Sequence, residues 1–131
     1  MADITDLRHR QLSELSGGQR QRAFIAMGIA QDTPYLLLDE PTSFLDIRFQ
    51  FETLDLLKDL TRQGKTCVLV LHDIAQAARY ADTLIVMAQG IICASGTPQD
   101  VVNASLVNDV YGLSATIYSD PVSATPVMTP L

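Results

Sequence analysis

Apolar residues recur along this chain at two spacings, and the spacing switches several times. From Ser16 to about Ala30, Phe24, Ile25, Met27 and Ile29 supply the apolar side of a predicted helix. Asp32-Thr33-Pro34 punctuates it. Tyr35-Leu36-Leu37-Leu38 is an unbroken apolar run ending in Asp39-Glu40-Pro41, the pattern of a strand buried on both faces. A long helix is predicted over about Ile47 to Gln63, where Phe51, Leu54, Leu57 and Leu60 fall at helical spacing. Gly64 is placed to stop it. Thr66 to Leu71 reads as a second buried strand, and Asp73 as the N-cap of a short helix through Tyr80. Thr83 to Ala88 and Ile91 to Ala94 flank Gln89-Gly90, a hairpin pattern. Thr97 and Pro98 cap and open a short helix, and another lies near Leu106 to Tyr111. Residues 1 to 14 are polar and weakly patterned. The tail from Ala115 holds one short β-like segment, then Pro121 and Pro126.

This alternation of helix and strand predicts an α/β layer with parallel strands. No repeat or linker breaks it, so the chain reads as one unit or part of one. Its 131 residues suffice for one small domain with one core. Hydrophobic content of 47% with 18% charged residues describes a globular chain, not a disordered one. The net charge of −6, from 9 Lys+Arg against 15 Asp+Glu, argues against a nucleic-acid partner and a polybasic membrane anchor. Apolar stretches such as Ala23 to Ala30 fall short of the roughly 20 residues that span a bilayer, so no direct membrane insertion is expected. The first ten residues carry charges where a signal peptide would be apolar. Cys67 and Cys93 lie in apolar runs without CxxC spacing and read as reduced core thiols of a cytosolic protein.

Candidate chemistry begins at Leu15-Ser16-Gly17-Gly18-Gln19, just before the first helix. Two glycines after a Ser expose backbone N–H groups at the positive end of a helix dipole, a ready phosphate site. Asp39-Glu40 is the second signal. Ligands of open α/β sheets sit beyond the carboxyl ends of the strands, and two carboxylates fall there; alternatively they cap the turn before Pro41. Asp46 reads by itself as a helix N-cap. His72 follows the second strand and reads either as a structural residue or as a group on the same side as Asp39. His9 has no such setting and reads as solvated. Gly64-Lys65-Thr66 mimics the end of a phosphate-binding loop. The full GxxxxGK[ST] pattern would need Gly at position 59, which is Asp59, and the order helix-Gly-strand is the reverse of a phosphate loop. No other segment of the sequence fits that pattern.

Taken in order, Leu15 to Arg22 (LSGGQRQR), Leu36 to Thr42 (LLLDEPT), the Asp46 loop and His72-Asp73 resemble the motifs of ATP-binding-cassette (ABC) ATPases. The Ser95 to Val101 segment resembles the one that closes many importer ATPases, and Val110 to Leu113 with the Asp120 to Pro126 tail is similar to the iron–siderophore, cobalamin and haem importer branch. The resemblance implies a P-loop NTPase-like parallel sheet flanked by helices, here incomplete. Residues 1–131 would form a partial ABC ATPase domain with a subfamily-like tail over about 105–131. It resembles only the second half of that domain. The adenine-stacking aromatic, the phosphate loop and the glutamine loop are not in this sequence, which implies a fragment of a longer product or a shortened gene.

The resemblance also implies roles. Asp39 would help place Mg²⁺. Glu40 would act on the attacking water, and His72 would contact the γ-phosphate. Ser16, Gly17, Gly18 and Gln19, the signature, would close on ATP held by a second ATPase subunit in a head-to-tail dimer, with Asp46 between the two sites. Transmembrane permease subunits would be the other partners, placing the protein on the cytoplasmic face of the cell membrane. ATP hydrolysis would then drive import of an iron–siderophore class of substrate. These residues should be inactive alone, because phosphate-loop N–H groups and a Lys supply most of the triphosphate's stabilisation. The alternatives are a non-catalytic half-domain that acts in trans on an intact ATPase, an ABC ATPase of DNA repair or translation, or a functionless remnant.

Overall fold

The computed structural model describes residues 4–131. These form two compact units, one up to Leu71 and one over His72–Leu131.

The first unit opens with two 3-10 turns, Thr5–Leu7 and Leu12–Glu14, ahead of helix α1, Gly17–Ala30. Strand β1 (Tyr35–Asp39), helix α2 (Ile47–Arg62) and strand β2 (Thr66–Val70) follow. β1 and β2 pair in parallel from Tyr35↔Thr66 to Asp39↔Val70, so α2 is the crossover that parallel strands require. The apolar stripe of α2 buries Leu54, Leu57 and Leu60. Leu57 and Leu60 form a core with Leu36, against which Ile29, Leu38, Cys67 and Leu69 pack. Desolvation pushes the Cys67 thiol up, in keeping with an inert core residue, whereas Cys93 is exposed, which corrects its reading as a core thiol.

One expectation is corrected here. The strands are covered on one face only. Leu36 and Leu38 turn toward α2, whereas Tyr35, Leu37, Val68 and Val70 are 65%, 74%, 51% and 49% exposed. A run of apolar residues cannot say which face is covered. Here the helices α1 and α2 contribute to the Leu36 side alone.

α2 ends in a Schellman motif. Gly64 has φ 92°, its N–H donates to Thr61 O at 2.9 Å, and Lys65 N–H donates to Leu60 O at 3.1 Å. Lys65 Nζ then donates to Asp32 Oδ1 at 2.7 Å and Thr33 O at 3.0 Å. That contact holds the Asp32 carboxyl below the usual carboxylate range. The Gly64-Lys65-Thr66 run is thus a helix stop with a tethered lysine, as its order predicts.

The second unit contains α3 (Ile74–Tyr80), β3 (Leu84–Ala88), β4 (Ile91–Gly96), α4 (Pro98–Val101), α5 (Ala104–Tyr111), β5 (Ala115–Ser119) and β6 (Pro126–Pro130). Its core gathers Ala78, Leu84, Val101 and Val102. Asp73 caps α3 by accepting the N–H of Ala75 at 2.8 Å and Gln76 at 3.0 Å, a cap worth about 1 kcal/mol. Gln89 and Gly90, at φ 50° and 80°, make the expected tight turn between β3 and β4. The tail differs from expectation. It is a complete antiparallel hairpin, paired from Ala115↔Pro130 to Ser119↔Pro126. At its turn, Asp120 accepts the N–H groups of Val122 and Ser123, which holds its carboxyl below the usual range.

Candidate functional site

The first turn of α1 is built by a reciprocal cap. Ser16 Oγ accepts the N–H of Gln19 at 3.2 Å, and Gln19 Oε1 accepts the N–H of Ser16 at 3.0 Å. Both polar side chains of the LSGGQ run therefore stabilise the helix start. The donors left facing outward are the N–H groups of Gly17 and Gly18, which have no partner within the helix by its geometry.

The glycine pair has a second reason to exist. A Cβ built at Gly18 would lie 3.1 Å from Phe44 O and 3.4 Å from Leu45 Cδ2. A Cβ at Gly17 would lie 3.4 Å from Phe44 Cβ. The absence of side chains lets residues 44–45 lie directly against the helix start.

Those residues belong to the loop from β1 to α2. Asp39 ends β1 and is exposed. Glu40 follows in the left-handed region at φ 47°, where a non-glycine residue is held only by its surroundings. Its N–H donates to Val70 O at 3.1 Å, and its O accepts Ser43 N–H at 3.0 Å. Gln21 Nε2 reaches the same carbonyl at 3.4 Å. Ser43 Oγ donates to Glu40 Oε2 at 2.9 Å. The residue is thus held by its backbone between a strand end and a turn, with Ser43 on its carboxylate. Asp46 Oδ1 accepts Phe49 N–H at 3.1 Å and caps α2, the plainer of its two readings.

One unit thus brings Ser16, Gly17, Gly18 and Gln19 against the loop that carries Glu40 and Asp46. His72 is exposed and opens the other unit. Gln21 and Ser43 were not singled out from the sequence. Ser43 was discoverable, since a Ser three residues after a Glu in a turn can reach its carboxylate. Gln21 was not, because its contact with Glu40 spans two elements.

Among the described residues, no group of three His, Cys, Asp or Glu side chains could hold a metal ion. A single carboxylate such as that of Asp39 would suit Mg²⁺ only where phosphate oxygens and waters complete the shell.

The ABC transporter family model matches residues 1–43. The ferric enterobactin transport ATP-binding protein FepC of Escherichia coli (strain K12) is 50% identical over 129 residues, covering 98% of this chain and 48% of FepC. This chain is homologous to ABC transporter ATP-binding subunits. A structure described as an inward-facing metal-chelate type ABC transporter superposes with a TM-score of 0.84 at 30% identity, covering 99% of this chain and 53% of that one. The ATP-binding cassette MJ0796, solved as a dimer in a post-hydrolysis state with ADP and Pi, gives 0.66 at 35% identity over 73% of this chain and 43% of its own. The expected fold holds: the chain has, in part, the α/β fold of ABC ATPases. It spans about half the length of the relatives it matches. Among the described residues, no helix is long and apolar enough to cross a membrane.

Proposed function

We propose that this chain is the signature-bearing half of the ATPase subunit of an importer of the iron–siderophore class. The observation that carries this reading is the seating of the loop holding Glu40 and Asp46 against the Gly17-Gly18 helix start. The FepC homology supports the substrate class.

Gly17 and Gly18 present their N–H groups, with the α1 dipole behind them, to a phosphate held by a second ATPase subunit. Ser16 and Gln19 fix that helix start by their reciprocal cap. Asp39 would help hold Mg²⁺ on nucleotide phosphates, where the ion would neutralise developing charge. Glu40, held by Ser43 and Gln21, accepts a proton from the attacking water. His72 donates to the γ-phosphate, and Asp46 lies between the two sites. Permease subunits couple closure of the pair to transport, which places the subunit on the inner face of the membrane.

The 131 residues hold no phosphate loop of their own. Incubated alone with Mg²⁺ and ATP, they should release phosphate at the uncatalysed rate in a continuous phosphate assay. Turnover that Glu40→Gln abolishes would show a complete site and sink this expectation. The outward Gly17 and Gly18 donors also favour a second reading, a half-domain that modulates an intact ATPase in trans. Its mark is a change in the ATPase rate of a full-length relative when this chain is added. An unchanged rate counts against it.

A further inference from the structure

Ser43 makes two bonds back to Glu40. Its N–H donates to Glu40 O at 3.0 Å, and its Oγ donates to Glu40 Oε2 at 2.9 Å. The first bond closes the turn, and any residue except proline could supply it. The second leaves the backbone untouched. Glu40 is already held at φ 47° by its N–H on Val70 O at 3.1 Å and by Gln21 Nε2 on its carbonyl at 3.4 Å. Nor does the hydroxyl cap a helix, because Asp46 caps α2. It acts on the carboxylate alone. Of the two adjacent acidic residues, it serves the half-buried Glu40 and not the exposed Asp39.

We propose that Ser43 is the positioning residue of Glu40: its hydroxyl holds the carboxylate in the rotamer that meets the attacking water. The proposal rests on the reading of Glu40 as the group that accepts the water's proton. Such a group must stand within hydrogen-bond reach of the water, so geometry comes before acidity. A Glu side chain turns about several bonds and loses much rotamer freedom when fixed, whereas Ser loses little. The short Ser43 side chain, whose own N–H is tied to Glu40 O, is therefore a stiff arm for a flexible partner. A hydroxyl that donates to an ionised carboxylate makes a charge-assisted bond, roughly twice as strong as a neutral one.

The test uses the 131-residue chain, isotope-labelled and without nucleotide. Vicinal NMR couplings along the Glu40 side chain report its rotamers. In the parent chain they should show one dominant staggered rotamer. Ser43→Ala keeps the N–H of the turn and removes the hydroxyl. It should lower the ratio of that rotamer to its competitors ~tenfold, the loss expected for one charge-assisted hydrogen bond, with the melting temperature near the parent's. Ser43→Thr keeps the hydroxyl and should restore the ratio. Ser43→Ala couplings equal to the parent's would overturn the proposal and leave Ser43 as a turn residue. Averaged couplings in the parent chain, or in Ser43→Thr, would overturn it too. Every arm is read without ATP, so a failure counts against Ser43 and not against Glu40 as the proton acceptor, which the ATPase assays address.

Discussion

Leu57→Ala should remove a large part of the stability of the first unit. Leu57 is 2% exposed at the centre of α2 and packs with Leu36 and Leu60. Cutting a buried Leu to Ala costs about 2–5 kcal/mol, through lost transfer energy plus the cavity left behind. Small domains hold only about 5–15 kcal/mol in total. This core has one layer, because the opposite strand face is open, so few neighbours can collapse into the gap. Urea unfolding followed by circular dichroism should show the midpoint fall sharply with an unchanged slope. Leu37→Ala, on the open face and 74% exposed, is the matched comparison and should change little. Equal losses at Leu37 and Leu57 would mean the strand face assignment is wrong.

Gly18→Val should dislodge the 40–46 loop from α1. A Cβ there already stands 3.1 Å from a backbone oxygen, which cannot swing aside as a side chain can. Two further methyl carbons must push Phe44 or tilt the helix start, a strain of about 1–3 kcal/mol. Gly17→Ala is expected to behave differently. Its Cβ meets Phe44 Cβ at 3.4 Å, and replacing Gly by Ala at a compatible position restricts the unfolded chain. Thermal melts should place Gly17→Ala at or above the parent and Gly18→Val well below it. In two-dimensional NMR spectra Gly18→Val should shift the amide signals of Glu40, Ser43 and Leu45. A Gly18→Val variant with parental melting and an unmoved loop would remove the steric basis for the glycine pair, leaving phosphate contact as its only role.

Local signals were legible in the sequence because they act within a few residues. The Asp46, Asp73 and Thr97 caps, the Gly64 stop and the Gln89-Gly90 turn are each decided by one side chain or one φ angle. The Asn103 cap obeys the same rule, accepting Leu106 N–H at 2.9 Å, and it lengthens α5 by two residues beyond the expected Leu106 start. Strand β6 was illegible because Pro126 and Pro130 bound it, and proline normally demotes a strand. Both prolines sit at the ends of a strand paired on one side with β5, where the missing N–H is tolerated. The coverage of β1 and β2 was illegible for a different reason. Leu36 and Leu37 are the same residue type in adjacent positions, and only tertiary packing makes one 8% and the other 74% exposed. At the candidate site, residue types suggested a chemistry, but the clamp on Glu40 needed coordinates. Gln21 and Glu40 are 19 positions apart and meet through helix packing.

The parallel pairing of β1 with β2 sets a clock for folding. Tyr35 cannot meet Thr66 until the intervening chain, α2 included, has closed on itself, whereas the β3–β4 and β5–β6 hairpins close across short turns. Hairpins form in about 1–10 μs, and non-local pairings must overcome loop-closure entropy before any contact rewards them. The ribosome therefore releases the slow half first. Refolding followed by pulsed hydrogen exchange should protect the Val86 and Ala94 amides before those of Leu37 and Leu69, and the reverse order would refute the clock. Until β2 is made, β1 lacks the partner strand it has among the described residues, and its Tyr35-Leu36-Leu37-Leu38 run is a stretch a chaperone would meet on the nascent chain.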